Sequence, residues 1–289
     1  MTIVSILLAF ALCHFVRELG RARRYGWLLH WRGWCERHVA EHGALAFFIV
    51  LGVPLLVLGL VQYVLAAGLG LLGVFLLSLV VLIYTFGPRD LDLDVAAAVE
   101  AQDEDERRAQ LEHLTGGPLP DDEGACQARA VEAVFNEALR RWFGIIFWFA
   151  VLGVFGALLY RMAVILDRPE SEDEPQAMIL YRRLRQVLDW PVAQLMTLAL
   201  AIATDFDSVY AAWKQYHDEQ GHGLFEGDNG FLLASARRIV LTGHAARDGY
   251  AEQLHGPLLS LQQAMDLAWR TLGVWLTGLA LVLLISVFA

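Results

Sequence analysis

The sequence has few of the residues on which disulfide-rich proteins and common ATPases depend. Its three cysteines, Cys13, Cys35 and Cys126, lie far apart and form no Cys-x-x-Cys pair. We therefore expect neither a disulfide framework nor a cysteine-based zinc site. Lys214 is the single lysine, and no Gly-x-x-x-x-Gly-Lys-Ser/Thr string can be written around it. That absence excludes a Walker A loop.

Charged residues are also scarce. Only 19% of the 289 residues are charged and 57% are hydrophobic, which is too apolar for an ordinary soluble enzyme and indicates a membrane protein with the lipid bilayer as its partner. The 22 basic residues are outnumbered by 32 acidic ones, giving a net charge of −10. Nucleic-acid binding is excluded on this balance, because it needs clustered cations.

One uncharged run extends from Gly43 to Pro88, about twice the roughly 20 residues that one helix needs to cross a bilayer. It predicts a transmembrane hairpin with spans over about 44–61 and 67–86, turning near Gln62, Gly68 and Gly70. Residues 271–289 form a further uncharged stretch that is long enough to span. The sequence therefore predicts three spans from length and hydropathy.

For two other apolar stretches the sequence does not decide whether the chain crosses the membrane. Residues 142–160 are uncharged and long enough to span, but Gly144, Gly153 and Gly156 allow a bend, so this stretch crosses the membrane or re-enters on the same side. Residues 192–204 are short for a span. They either insert halfway or pack against other helices.

The arginines predict the orientation and the organisation of the chain. Residues 17–42, 87–141 and 205–270 are rich in arginine and are placed in the cytoplasm by the positive-inside rule. A re-entrant course of 142–160 keeps the arginines of 161–190 inside as well. We expect a multi-pass membrane protein with six segments: 1–42, an anchor and Trp-rich interfacial helix; 43–88, the hairpin; 89–141, an acidic loop; 142–204, spanning or re-entrant; 205–270, cytoplasmic helices; and 271–289, the last span.

No strand pattern occurs, so the predicted fold is all-α, with a cytoplasmic helical layer. Helices are expected over 208–219, after a cap at Asp228 or Asn229, and over 248–269. The stretch 90–123 holds twelve acidic residues and two arginines, which is typical of a solvated loop.

The strongest chemical pattern follows the predicted hairpin. Arg89 stands beside Asp90, Asp92 and Asp94, and oxygen ligands so spaced could hold a hard cation, or a phosphate through Mg²⁺. The alternative is a helix N-terminus, where aspartates complement the dipole. His217 and His222 are five residues apart and do not share one helical face, so no metal site is expected there.

Several segments resemble a known family, AmpE, a bacterial inner-membrane protein linked to β-lactamase induction. The resemblance covers nearly the whole chain and is carried by Phe86-Gly87-Pro88-Arg89-Asp90-Leu91, by 143–161 and by Val187-Leu188-Asp189-Trp190-Pro191-Val192. It implies a regulator of the response to β-lactams and cell-wall stress. Such a protein would be non-enzymatic.

AmpE is in turn similar to the CobD/CbiB proteins, membrane enzymes of cobalamin biosynthesis that join an aminopropanol unit to the corrin ring by ATP-dependent amide formation. Residues 130–137 resemble their Glu-x-x-x-Glu-Asn region. Leu158-Leu159-Tyr160-Arg161 with Leu166-Asp167 resembles the segment after it, and Asp228-Asn229-Gly230 resembles their Pro-Asn-Ala-Gly segment without the proline. These departures suggest that the chain keeps the scaffold and has lost the reaction.

The leading expectation is thus an AmpE-like regulatory membrane protein without a cofactor, whose cytoplasmic loops bind a small ligand or a membrane-protein partner. The alternatives are a CobD/CbiB-type synthase, which would use Mg-nucleotide, and a membrane scaffold. Convergence of seven polar residues in one pocket, with carboxylates able to hold Mg²⁺, would favour the synthase; they are Arg89, Asp90, Asp94, Glu132, Asn136, Arg161 and Asp167. The ligand-binding residues expected from these patterns are Arg89, Asp90, Asp92, Asp94, Glu132, Asn136, Arg161, Asp167 and Asn229.

Overall fold

A computed structural model describes residues 2–15, 25–38, 43–86, 91–101, 103–167, 176–220, 228–242 and 257–288. The described residues form helices and no strand, which confirms the all-α prediction. The helices are α1 (Thr2–Phe15), α2 (Gly26–His38), α3 (Gly43–Thr85), α4 (Leu91–Glu100), α5 (Glu104–Thr115), α6 (Glu123–Ala138), α7 (Gly144–Leu166), α8 (Gln176–Ala203), α9 (Phe206–Gln220), α10 (Gly230–Leu241) and α11 (Pro257–Phe288). A π-helical turn, Leu139–Phe143, lies between α6 and α7.

Three helical stretches among the described residues are long and apolar enough to cross a bilayer. They are Ala44–Thr85, Glu123–Leu166 and Met178–Ala203. This finding agrees with the expected membrane protein. The predicted span over 271–289 falls mostly in α11 but is not one of the three stretches, so it stays a prediction.

The chain divides into two compact units. The first takes in Met1–Pro88 and Arg140–Asp189, and the second takes in Arg89–Leu139 and Trp190–Ala289. Each unit therefore combines two separate stretches of sequence, which the six consecutive segments expected from hydropathy did not anticipate.

In the first unit, α3 packs against α1, α2 and α7. A buried cluster ties α2, α3, α7 and α8 together, and Leu28, Val50, Met162 and Tyr181 are almost fully enclosed in it. These side chains come from distant parts of the sequence. Their burial removes apolar surface from contact with solvent and so fixes α2 on α3.

The chain reverses direction within α3. Gly70 has φ 58° and ψ −137°, a backbone conformation that side-chain-bearing residues rarely adopt. A Cβ on Gly73 would lie 2.5 Å from the carbonyl oxygen of Leu65, although eight residues separate them. Such proximity is impossible along one straight helix, where eight residues span about 12 Å. The two arms of α3 therefore run back along each other.

The same reversal recurs within α7. Gly153 has φ 63° and ψ −146°, and a Cβ on Gly156 would overlap the carbonyl oxygen of Trp148. The glycines are again three residues apart, and the carbonyl again belongs to the residue five before the first glycine. Further from the turn, a Cβ on Gly144 would overlap the ring of Tyr160. The residues that the sequence left as crossing or re-entering thus fold back on themselves at Gly153.

In the second unit, α6 packs against α10 and α11, and α9 packs against α10. Asp122 caps α6 by accepting a 2.8 Å hydrogen bond from the backbone N–H of Ala125. The acidic stretch expected as a solvated loop contains α4 and α5. Apolar side chains spaced three or four apart, such as Leu111 and Leu114, are buried there and explain the helices.

Candidate functional site

A polar seam in the second unit joins α6 to α10. Glu132 and Asn136 are one turn apart on α6, whose opposite side buries Val131, Val134 and Phe135. The carboxylate of Glu132 accepts a 3.1 Å hydrogen bond from Nη1 of Arg237. The carboxamide of Asn136 accepts one of 3.4 Å from Nδ2 of Asn229. Glu132 and Asn136, both predicted from the sequence, therefore form hydrogen bonds with residues about a hundred positions away in the chain. The partner of Asn136 is Asn229, which was also predicted.

Asn229 lies immediately before α10, and hydrogen bonds fix the backbone around it. Its carbonyl oxygen accepts from the N–H of Leu232 at 3.1 Å, so it is the first residue of the helix turn. Asp228 accepts from the N–H of Gly230 at 3.0 Å and from the phenol of Tyr216. A Cβ on residue 230 would overlap the Tyr216 hydroxyl, so a larger residue there would have to displace this phenol. Burial and Asp228 together raise the pKa of the Tyr216 phenol above its ordinary value.

The predicted carboxylates of α4 have a different setting. Asp92 accepts a 2.9 Å hydrogen bond from the indole N–H of Trp269 on α11. Asp94 is only 3% exposed. Arg89 and Asp90, which the sequence grouped with them, lie outside the described residues. Of the residues expected to form a cation site, the structure thus describes only Asp92 and Asp94. The indole N–H of Trp269 already binds Asp92.

Asp167, in the first unit, belongs to an ion-pair network that the sequence did not predict. Arg185 donates from Nε to Asp167 and from Nη1 to Asp189, the latter at 2.6 Å. Arg182 approaches Asp167 at 3.6 Å, and the phenol of Tyr160 donates to Asp189 at 2.6 Å. Asp167 is therefore a structural anchor between α7 and α8.

Arg161 lies on α7 and is only 3% exposed. Its guanidinium carbon lies 5.3 Å from the centroid of the Tyr25 ring, within the range of a cation–π contact. Its Nε and Nη2 have no hydrogen-bond partner in the part of the chain that the structure describes. A buried guanidinium with two unused donors is costly for the fold, and it is the clearest sign of a ligand in the first unit.

The described residues include no group of three or more His, Cys, Asp or Glu side chains that could hold a metal ion. His217, considered in the sequence as part of a polar cluster, packs on Trp213 and Phe231, and its Nδ1 lies 2.8 Å from the Trp213 carbonyl oxygen. That histidine serves the packing of α9 on α10.

Sequence reasoning missed the partners of the predicted residues. Five residues contact a predicted residue or belong to the ion-pair network of Asp167: Arg237, Trp269, Arg185, Asp189 and Tyr160. Arg185 and Asp189 are four apart on one helix, a spacing that the sequence displays and that favours an ion pair. The others are long-range partners for which spacing gives no signal.

Comparison with known proteins gives two findings. The family model described as CobD/Cbib protein matches residues 6–253. The chain is also similar to the protein named cobalamin biosynthesis protein CobD of Stutzerimonas stutzeri (strain A1501), with 28% identity over 278 residues that cover 86% of this chain and 84% of that protein. No solved structure matches significantly.

These matches correct the leading expectation from the sequence. The prediction of an AmpE-like, non-enzymatic regulator of β-lactamase induction is wrong, because both comparisons lead to cobalamin biosynthesis instead. They agree better with the alternative of a CobD/CbiB-type protein. The local segments that resembled AmpE, such as Val187–Val192, were too short to separate the two.

Proposed function

We propose, from the premise that this chain belongs to the CobD/CbiB family, that it is a membrane-bound enzyme of cobalamin biosynthesis. The reaction proposed is the one that the sequence resemblance implies, the ATP-dependent formation of an amide between a corrin-ring carboxylate and an aminopropanol unit. We place its working face on the cytoplasmic side of a bacterial inner membrane. The pairing of Asn136 on α6 with Asn229 at the start of α10 carries the assignment to this part of the chain.

A carboxylate is a poor acceptor for an amine, so amide formation with ATP begins by moving the γ-phosphoryl group onto the carboxylate. The resulting acyl phosphate is attacked by the neutral amine, which forms the C–N bond, releases phosphate and loses a proton. Such a sequence needs groups that orient a carboxylate and a phosphate and one that accepts a proton.

The polar seam supplies groups of these kinds. Arg237 is a planar cation suited to a carboxylate or phosphate, and Glu132 holds it in place at 3.1 Å. The carboxamides of Asn136 and Asn229 are 3.4 Å apart and can each turn toward a polar substrate group. Glu132, one helical turn from Asn136, is a carboxylate that can accept the amine proton. The described carboxylates form no three-donor metal group, so we assign no step to a metal held by protein side chains.

The test is amide formation by the purified full-length chain in detergent, with a corrinoid acid, aminopropanol and Mg-ATP. We expect Asn229→Ala and Arg237→Gln to lower the turnover number by at least about tenfold, the equivalent of one lost hydrogen bond to a charged group. Arg129→Gln removes an exposed arginine from α6 and is the matched control. Equal turnover in all three variants would place the reaction elsewhere. A folded wild-type chain with no product and no stabilisation by corrinoid or Mg-ATP would refute the enzyme.

A further inference from the structure

The described part of the first unit is cationic, although the whole chain has a net charge of −10. It holds eight arginines and three carboxylates, a formal excess of five positive charges. The arginines are Arg32, Arg37, Arg140, Arg141, Arg161, Arg182, Arg183 and Arg185, and the carboxylates are Glu36, Asp167 and Asp189. An excess of one sign within an apolar unit favours an anionic ligand.

The three carboxylates are already engaged. Asp167 and Asp189 bind Arg185, and Glu36 lies 3.6 Å from Arg32. Arg161, by contrast, interacts with the phenols of Tyr25 and Tyr160 and with no described carboxylate, and it lies near enough to Arg141 to be repelled by it. Its Nε and Nη2 are buried and have no hydrogen-bond partner among the described residues. These two nitrogen atoms therefore call for oxygen atoms that the described residues of the unit do not supply.

An apolar crevice of about 490 Å³ lies in the same unit as this arginine. Its walls come from α2, from both arms of α3 and from α7, and they include Trp27, Trp31, Val57, Val80, Tyr84 and Leu158. Exposed apolar side chains are expected wherever a protein meets lipid, so the crevice alone does not identify a ligand. At one end of the crevice two polar side-chain groups meet. There Nε1 of Trp27 donates a 2.7 Å hydrogen bond to the hydroxyl of Tyr84.

The polar end of the crevice adjoins Arg161. The rings of Tyr84 and Tyr25 are 5.1 Å apart, and the Tyr25 hydroxyl donates to the Tyr84 carbonyl oxygen at 2.5 Å. Arg161 lies over that same Tyr25 ring. Leu158, which lines the crevice, is three residues before Arg161 on α7 and so points to the same side of the helix. The cation and the crevice thus share their neighbours.

We propose that the crevice and Arg161 bind one anionic phospholipid. An acyl chain lies between the two arms of α3, along Val57 and Val80, and the headgroup phosphate accepts hydrogen bonds from Nε and Nη2 of Arg161. A guanidinium offers two parallel N–H donors that match two phosphate oxygens. The volume is within the usual range for a small-molecule site. This lipid site is separate from the proposed amide synthesis, which was assigned to residues of the second unit.

The experiment measures thermal stability of the full-length chain in dodecylmaltoside micelles while a lipid is titrated. The probes are phosphatidylglycerol, phosphatidylcholine and sn-glycerol 3-phosphate. We expect saturable stabilisation by phosphatidylglycerol, a weaker effect of phosphatidylcholine because its choline adds a cation, and none from glycerol phosphate, which lacks the chains. Equal stabilisation by glycerol phosphate would show a site for soluble phosphate compounds. Equal stabilisation by both lipids would show unspecific solvation, and either result would overturn the proposal.

Two variants separate the charge from the crevice. Arg161→Gln is expected to weaken phosphatidylglycerol binding about tenfold or more, whereas Arg183→Gln, which removes an exposed arginine of the same unit, leaves it unchanged. Val57→Trp fills the crevice from a position that is 56% exposed, and we expect it to abolish the response while Arg161 stays in place. Should Arg161→Gln not fold, Val57→Trp decides: an unaltered response to phosphatidylglycerol in that variant refutes the lipid site.

Discussion

The phenol of Tyr160 donates a 2.6 Å hydrogen bond to the carboxylate of Asp189, although twenty-nine residues separate them in the sequence. Both side chains are almost fully buried. Arg185 binds the other oxygen of the same carboxylate and links it to Asp167 at the end of α7. The returning arm of α7 is thereby fastened to α8 by charge as well as by packing.

Removing the centre of this network should be severely destabilising. We expect Asp189→Ala to lower the free energy of unfolding by about 3–5 kcal/mol, since it leaves a buried guanidinium without one of its two anions. Tyr160→Phe removes one hydrogen bond and should cost about 1–3 kcal/mol. Thermal unfolding in detergent, with exposed Arg183→Gln as the control, measures both. An Asp189→Ala variant as stable as the control would show that the network contributes nothing to the fold.

The reversal at Gly153 should depend on both of its glycines. A methyl group on Gly156 would overlap the carbonyl oxygen of Trp148, and one on Gly153 would be held in a strained backbone conformation that costs about 1–3 kcal/mol. We therefore expect Gly156→Ala and Gly153→Ala each to lower the melting temperature. Gly52→Ala in α3, where nothing lies within 4 Å of the added Cβ, should leave it unchanged or raise it. The same change in all three variants would contradict a tight reversal.

Stability at alkaline pH should report on Tyr216. Burial and Asp228 raise the pKa of its phenol in the folded chain, whereas the unfolded value is about 10. The unfolded chain therefore loses this proton first, so the stabilisation is complete below about pH 10 and declines as the pH rises toward the folded pKa. Tyr216→Phe should lower stability at neutral pH and reduce its decline above pH 10. Melting temperatures of both proteins between pH 8 and 11 provide the measurement, and parallel curves would contradict the assignment.

Local signals in the sequence predicted local structure well. The expected helix over 208–219 is α9, Phe206–Gln220, and the expected cap at Asp228 or Asn229 lies directly before α10. Capping residues act on the turn next to them, so they can be read without knowing the fold. The helices of the acidic stretch were missed because charge outweighed the spacing of Leu111 and Leu114.

Contacts between residues far apart in the chain could not be predicted from the sequence. Within an uncharged run, hydropathy is uniform, so it could place the turn of α3 near Gln62 to Gly70 but could not select Gly70. Glu132 and Asn136 were identified by resemblance, yet Arg237, 105 residues from Glu132, could not be paired with it from spacing. Such partners are fixed only when α6 and α10 pack together, and packing is set by the whole apolar surface of both helices.

The course of residues 142–160 leads to a prediction about membrane topology. About a dozen residues separate Arg141 from Gly153, which as a helix is roughly 18 Å, too short for a hydrocarbon core of about 30 Å. Since the chain then reverses and Gly144 faces Tyr160, the stretch should enter and leave the membrane on the same side. In a variant without the three native cysteines, a cysteine at exposed Arg183 should react with an impermeant maleimide only after the inner membrane is opened. A cysteine at Ala67, near the turn of α3, should react in spheroplasts and serves as the control. Labelling of position 183 in intact spheroplasts would mean that residues 142–160 cross the membrane.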